Sequence, residues 1–292
     1  MTLSILIPTF NYDARALVTS MLNLLSSEAI EGEVVVGDDA STGPMAWLDE
    51  MALKPHVRVL LSSHNLGRAR NINRLAEAAQ GEWLLIVDCD ARVEKDFSLR
   101  AYLEAGKQAP VVCGGLRHPD VNPCPEATLR YRYERHADKR RKAALRQRHP
   151  YNQLSTFNIL IRREAFQRVR FDEACTDYGY EDTLFGADLE RNGFAILHID
   201  NPLVHEGLES NDIYLRKTET ALHTLHRLRT RMQGHSGVLA AVERLERWHL
   251  SGLVAQVYRL SRQLLRRNLL GSRPSLTLFN FYKLGYYLCI DD

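Results

Sequence analysis

Four short, largely apolar runs, Leu3–Ile7, Glu33–Gly37, Val57–Leu61 and Trp83–Val87, alternate with segments of helical spacing, and nothing else constrains the fold as strongly. A run without polar alternation is a strand covered on both faces. Strands of that kind interleaved with helices predict an α/β fold with a mainly parallel sheet flanked by helices. Pro8 stops the first run, and Asp13 is placed to cap a helix whose apolar face is Leu17, Met21, Leu24 and Leu25. Gly67–Gln80 reads as a further helix and Val111–Cys113 as a fifth strand. In such sheets ligands bind beyond the carboxyl ends of the strands. The polar residues there, Thr9, Asn11, Asp38, Asp39, Asp88 and Asp90, form the first candidate site.

The middle third changes character. Arg130–Arg148 carries nine Lys/Arg against Glu134 and Asp138, which leaves the rest of a chain of net charge +2 acidic, and it reads as one basic helix. Phe157–Ile161 follows as a strand, Thr183–Arg191 as a helix closed by Asn192-Gly193, and Ala195–Ile199 as a strand leading to Pro202 and His205. From Asp212 onward the pattern is helical and basic, with breaks expected at Gly252, Gly271 and Pro274. At 45% hydrophobic and 25% charged residues the composition is that of an ordinary soluble globular protein, which excludes wholesale disorder. The five cysteines form no C-x-x-C pair, so neither a disulfide framework nor a zinc finger is expected, and a reducing cytosol is. The first residues, MTLSILIPTF, lack the basic start of a secretory signal, and no run approaches the ~18 apolar residues of a membrane span.

Asp88-Cys89-Asp90 directly follows the fourth run. Two neighbouring carboxylates repel, and a hard divalent cation shared with phosphate oxygens would compensate them; the plainer alternative is loop or helix capping. Asp38-Asp39 closes the second run in the same position, suited either to a turn or to accepting hydrogen bonds from a base or a ribose. Asn65-Leu66-Gly67-Arg68-Ala69-Arg70-Asn71 opens a helix, and arginines at a helix N-terminus suit a diphosphate, although Arg68 and Arg70 cannot both face the same way. Glu181 and Asp182 stand just before a helix, as caps or as a general base aimed at a hydroxyl. His205 is an ordinary histidine or completes a metal site begun by a carboxylate. No G-x-G-x-x-G and no Walker loop is present.

Taken in order, Ile5–Asn11, Val35–Ser41, Asn65–Asn71, Leu84–Asp90, Gly179–Asp182 and His205 resemble the motifs of the inverting family-2 glycosyltransferases of the GT-A fold. The resemblance implies a GT-A-like α/β domain. Residues 1–120 would hold the nucleotide-sugar donor, 121–210 the acceptor, and 211–292 would form a mostly helical extension. It implies nucleotide contacts by Pro8, Thr9, Asn11, Asp38, Asp39, Asn65, Gly67, Arg70 and Asp88. Asp90, Asp88 and His205 would hold Mn²⁺ or Mg²⁺, and Asp182 would act as base with Glu181 beside it. Two departures stand out: Gly-Asp-Asp-Ala-Ser replaces the more usual Val-Asp-Asp-Gly-Ser, and Cys89 fills the centre of the D-x-D. The implied reaction moves a sugar, typically from a UDP-sugar, to a saccharide or lipid-linked glycan acceptor in bacterial cell-surface assembly. It would take place in the cytoplasm or at the inner face of the membrane.

Two rival readings remain at this point. A sugar-1-phosphate nucleotidyltransferase shares the layout but needs a glycine-rich, lysine-containing loop where Thr9-Phe10-Asn11-Tyr12 stands. A polyanion-binding scaffold would use Arg130–Arg148, but no RNA-binding motif accompanies that run and no nucleic acid is expected. The basic run is otherwise a solvated face or a site for an anionic membrane surface, and Leu253–Leu288 reads as a membrane-lying segment or a helical cap on the catalytic domain.

Overall fold

The apolar runs become the strands that the alternation demands. The computed structural model describes residues 2–175 and 178–290. It begins with β1 (Leu3–Thr9), α1 (Arg15–Ser27), β2 (Gly32–Asp38), α2 (Ala46–Ala52) and β3 (Val57–Leu61). Then come α3 (Arg68–Ala78), β4 (Trp83–Val87), β5 (Ala91–Arg92), α4 (Leu99–Gly106), β6 (Val111–Cys113) and β7 (Leu116–Arg117). The middle holds α5 (Thr128–Asp138), α6 (Ala143–Arg146), β8 (Asn158–Arg162), α7 (Arg163–Arg168), α8 (Glu181–Arg191), β9 (Ile196–His198) and β10 (Leu203–His205). The chain ends in α9 (Asn211–Arg227), a short 3₁₀ turn, α10 (Gly237–Arg247), α11 (Ser251–Leu269) and α12 (Leu276–Tyr287).

Seven strands form the main sheet in the order β3-β2-β1-β4-β8-β6-β9, and every pairing is parallel except those made by β8. Leu3, Ile5 and Ile7 point into one apolar layer with Val18 and Met21 of α1, while Leu6 points into the other with Ile72 and Leu75 of α3. Both faces are covered over β1, β2 and β4, which is why those runs show no alternation, while the edge strand β3 is only partly buried. A small second sheet, β5-β10-β7, sets His205 opposite Ala91. The C-terminal helices have their own core, in which Leu215 of α9, Tyr258 and Leu265 of α11, and Phe279 and Tyr282 of α12 meet Leu129 of α5. A Cβ at Gly285 would lie 2.5 Å from the Tyr258 side chain, so α11 and α12 approach as closely as they do only over a glycine.

Three expectations need correction. Arg130–Arg148 is not one helix: α5 ends at Asp138, Lys142 is extended, and α6 is a single turn. The break lets Arg141 turn back onto Glu134 and Asp138, at 2.5 and 2.7 Å, and sends Arg146 into the interior. Gly252 breaks nothing and lies inside the first turn of α11, whereas Gly271 and Pro274 do occupy the turn before α12. Asp13 sits one residue ahead of the cap position, held by Ala14, and accepts from the Arg15 N–H at 2.9 Å.

Candidate active site

The carboxyl ends of β1, β2 and β4, the start of α3, the start of α8 and the inner wall of α9 and α12 enclose a cleft of about 1150 Å³. Pro8 and Thr9 line it at the end of β1, and the Thr9 hydroxyl donates to the Tyr12 carbonyl at 2.9 Å. Asp39 lines it too, and its carboxylate accepts from the backbone N–H of Leu66 and Gly67 at 2.8 and 2.9 Å, fixing the loop that opens α3. Gly67 adopts φ +84° there, a conformation that only glycine reaches without strain, and Asn65 accepts from its N–H at 3.1 Å.

Asp38 and Asn11 do not join the cleft. The Asp38 carboxylate caps its own turn, accepting from Ser41 Oγ at 2.5 Å and Ser41 N at 3.1 Å. Asn11 accepts from the Thr42 N–H at 2.8 Å and ties two loops together outside the cleft. Arg70 faces away as well, half-exposed, with Glu173 at 3.4 Å. Arg68 takes the inward position instead. Its guanidinium donates to Asp88 Oδ1 at 2.6 Å and Thr156 Oγ1 at 2.9 Å, and lies 3.7 Å from Asp182 Oδ1. Two residues along a helix turn a side chain by about 200°, so only one of these arginines can enter.

Burial pushes the Asp88 carboxyl up to about 6, although Arg68 pulls the other way. Asp90 is also pushed up by burial, but the hydrogen bond and charge of His205, with the charge of Arg130, hold it below the usual range. The strand register that puts His205 beside Ala91 brings its Nε2 to 3.1 Å from Asp90 Oδ2. That nitrogen also faces the Arg130 guanidinium at 3.3 Å, while Nδ1 is buried without a partner. A side chain at Gly207 would collide with the Asp90 carboxylate.

On the opposite side, Tyr180 adopts φ +68° and starts α8, so Glu181 and Asp182 stand in its first turn. Asp182 accepts from Thr156 N at 3.1 Å, from the Thr156 hydroxyl and from Ser155 Oγ at 3.5 Å. Glu181 accepts from Gly179 N at 3.1 Å, and burial raises its carboxyl above the ordinary range. Sequence reasoning missed Thr156. Because β8 runs against β4, its amino end lies beside the carboxyl end of β4, with Asp88 N donating to Phe157 O at 3.1 Å. It also missed that the basic run supplies the cleft's interior. Arg130 pairs with Glu209 at 2.8 Å, and buried Arg146 donates to the carbonyls of Arg141, Cys113, Gly114 and Ile199.

Among the described residues, no three of His, Cys, Asp and Glu converge as a metal site, and Asp88, expected as a ligand, is bound to Arg68. Asp90 and His205 nevertheless fit as two ligands. Donors about 2.1 Å from an octahedral cation at a right angle lie about 3 Å apart, close to their 3.1 Å separation, and the Arg130 guanidinium, 3.3 Å from the same imidazole nitrogen, would have to withdraw from a cation held there.

The model of the glycosyl transferase family 2 matches residues 4–170, more than half of the chain. An uncharacterized Mycobacterium tuberculosis protein, MT1568, is 33% identical over 91 residues, which is 31% of this chain and 28% of that relative's length. The structure of S. aureus TarS 1-349 in complex with UDP-GlcNAc aligns at a TM-score of 0.52 and 19% identity, covering 98% of this chain and 90% of that one. A longer TarS chain is covered over only 40% of its length. The mannosyltransferase PcManGT from Pyrobaculum calidifontis, in complex with GDP-Man and Mn²⁺, aligns at 0.53 and 16% identity over 98% of this chain and 84% of that one. With the sheet order, the acid-lined cleft and this match in hand, the chain belongs to glycosyl transferase family 2, a family of sugar-transferring enzymes, on the GT-A fold.

Proposed function

We propose that the chain is a metal-dependent inverting glycosyltransferase that moves a sugar from a nucleotide-sugar to an acceptor hydroxyl. The observation that carries this is the meeting of Asp88, Asp90, Arg68 and Asp182 in one cleft at the carboxyl ends of β1 and β4. Thr9 and Asp39 stand at the end suited to the base, and Arg68 faces the place for a diphosphate. Asp90 and His205 would hold Mn²⁺ or Mg²⁺, which when bound supplies positive charge against the departing diphosphate. Asp182 takes the proton of the acceptor hydroxyl. The hydroxyl oxygen bonds the anomeric carbon from the face opposite the diphosphate, the carbon–oxygen bond to the diphosphate breaks, and the carbon inverts. Residues 1–120 hold the donor in this reading, 121–210 the acceptor, and the extension 211–292 closes the acceptor end with Tyr214, Lys217, Phe279 and Lys283. The acceptor is a saccharide or lipid-linked glycan of cell-surface assembly, handled on the cytoplasmic side. The UDP-sugar carried by TarS makes UDP the first donor to test, and the GDP-Man of PcManGT the second.

A thermal-shift titration with UDP, with and without Mn²⁺, on wild type and Asp90→Asn tests this. A ligand that binds only the native state raises the melting point by mass action. The expected shift needs Mn²⁺ and is lost in the variant. A shift with GDP alone would change the donor, and no shift with any nucleotide would sink the transferase reading.

A further inference from the structure

Helix α11 has two apolar faces. Ala255, Tyr258, Leu265 and Leu269 are buried on the inner one, against α12 and its neighbours. Leu250, Leu253, Val257, Leu260 and Leu264 follow at alternating steps of three and four and lie in one stripe on the outer face, all exposed. Leu260 and Leu264 are 81% and 71% exposed, and Trp248 at the near end of the stripe is 70% exposed. A single exposed leucine needs no explanation, but a continuous row of them does. Along the sequence, Arg247 to Ile290 holds seven Lys/Arg and no Asp or Glu, between Glu246 on one side and Asp291 on the other, and of these Arg266 is paired with Glu219 of α9. Arg247, Arg259, Arg267 and Arg273 make no ion pair among the described residues.

We propose that α11 lies flat on an anionic membrane surface, its leucine row in the acyl boundary and its unpaired arginines on the headgroups. The stripe calls for an apolar cover, and the charge decides which. A second copy of the chain would set this basic face against an identical basic face, with no acid in the segment to relieve the repulsion. An anionic bilayer offers hydrocarbon to the leucines and negative charge to the arginines at once. A nucleic acid would match the arginines but not the leucines. No helix among the described residues is long and apolar enough to cross a membrane, so the contact is at the interface.

The test needs neither donor nor acceptor. Flotation of the full chain with phosphatidylcholine vesicles, with and without phosphatidylglycerol, is compared with Leu260→Ser/Leu264→Ser and Arg259→Gln/Arg267→Gln. Trp47 and Trp83 are buried, so a blue shift of the intrinsic fluorescence reports Trp248 entering the lipid. Wild type is expected to float with the anionic vesicles, blue-shifted, and not with phosphatidylcholine alone. The serine pair, on exposed positions outside the core of the fold, is expected to lower the partition by about a hundredfold, and each arginine removed by about fivefold. Absence of binding to the anionic vesicles overturns the proposal, as does undiminished binding by the serine pair. A wild-type dimer that the serine pair dissociates also overturns it, because a second copy then covers the row. A UDP shift without vesicle binding would leave the catalytic reading standing and this one refuted; vesicle binding without a UDP shift would do the reverse.

Discussion

Asp88 is held ionised at a cost, and that cost can be measured. Its carboxyl rises from an ordinary 3.8 to about 6, with burial as the main cause. The native state therefore keeps a proton between about pH 4 and 6 that the unfolded chain releases. Stability from this group is complete below about pH 4, falls as the pH rises to 6, and stays lower above it. The full displacement corresponds to about 3 kcal/mol, and solvent reaching a side chain that is 26% exposed reduces this to about 1–3 kcal/mol. Asp88→Asn removes the ionisation while Asp182 and Glu181 remain as countercharges for Arg68. The variant should match wild type near pH 4 and exceed it by about 1–3 kcal/mol at pH 7. Urea unfolding followed by circular dichroism at about pH 4.5, 5.5 and 7, with EDTA present, reads this directly. The carboxylates of Glu134, Asp138 and Asp172, all held low, pull the other way in both proteins and cancel in the difference, whereas Asp90, whose charge acts on Asp88, is part of what the difference reads. A variant that is weaker at neutral pH, or a gap that does not grow with pH, would refute the reasoning. Sugar transfer should be lost in the same variant, because stability surrendered at a cleft is the usual mark of a functional group.

Arg68→Gln should weaken UDP binding at least tenfold by removing a charge-assisted contact, whereas Arg70→Gln should leave it within about twofold; calorimetric titration separates the two. Asp182→Asn should lower the transfer rate by about 10²–10⁴ with donor affinity little changed, measured in single-turnover assays. Arg146→Met strips the donors from buried carbonyls of Cys113, Gly114 and Ile199 and should cost about 3–5 kcal/mol in urea unfolding at pH 7.

What the sequence made legible follows from parity. A strand covered on both faces must be apolar throughout, so β1, β2 and β4 were visible as runs, and the edge strand β3 was visible because its sequence is largely apolar although Leu61 is exposed. Such a run carries no mark of its direction, so the reversed strand β8, and with it Thr156 beside Asp88, was not. Side chains two apart on an extended segment share a side and adjacent ones do not. That rule separates Asp38, turned to Ser41, from Asp39 in the cleft; beyond β4 the chain turns, and Asp88, Cys89 and Asp90 all line the same space. The helical counterpart separates Arg68 from Arg70. Neither choice needed the structure in principle, only the decision about which member faces in, and that depends on a loop's register, which composition does not fix. The basic run misled for a different reason. Charge counted along a sequence assumes solvent, but Arg146 finds three of its carbonyl partners 32 to 53 positions away, and only the folded chain brings those together. The same assumption, applied to the apolar face of α11, fails in the opposite sense. A row of leucines at helical spacing is read as core, yet α11 already buries its other face, so this row must find its cover outside the chain.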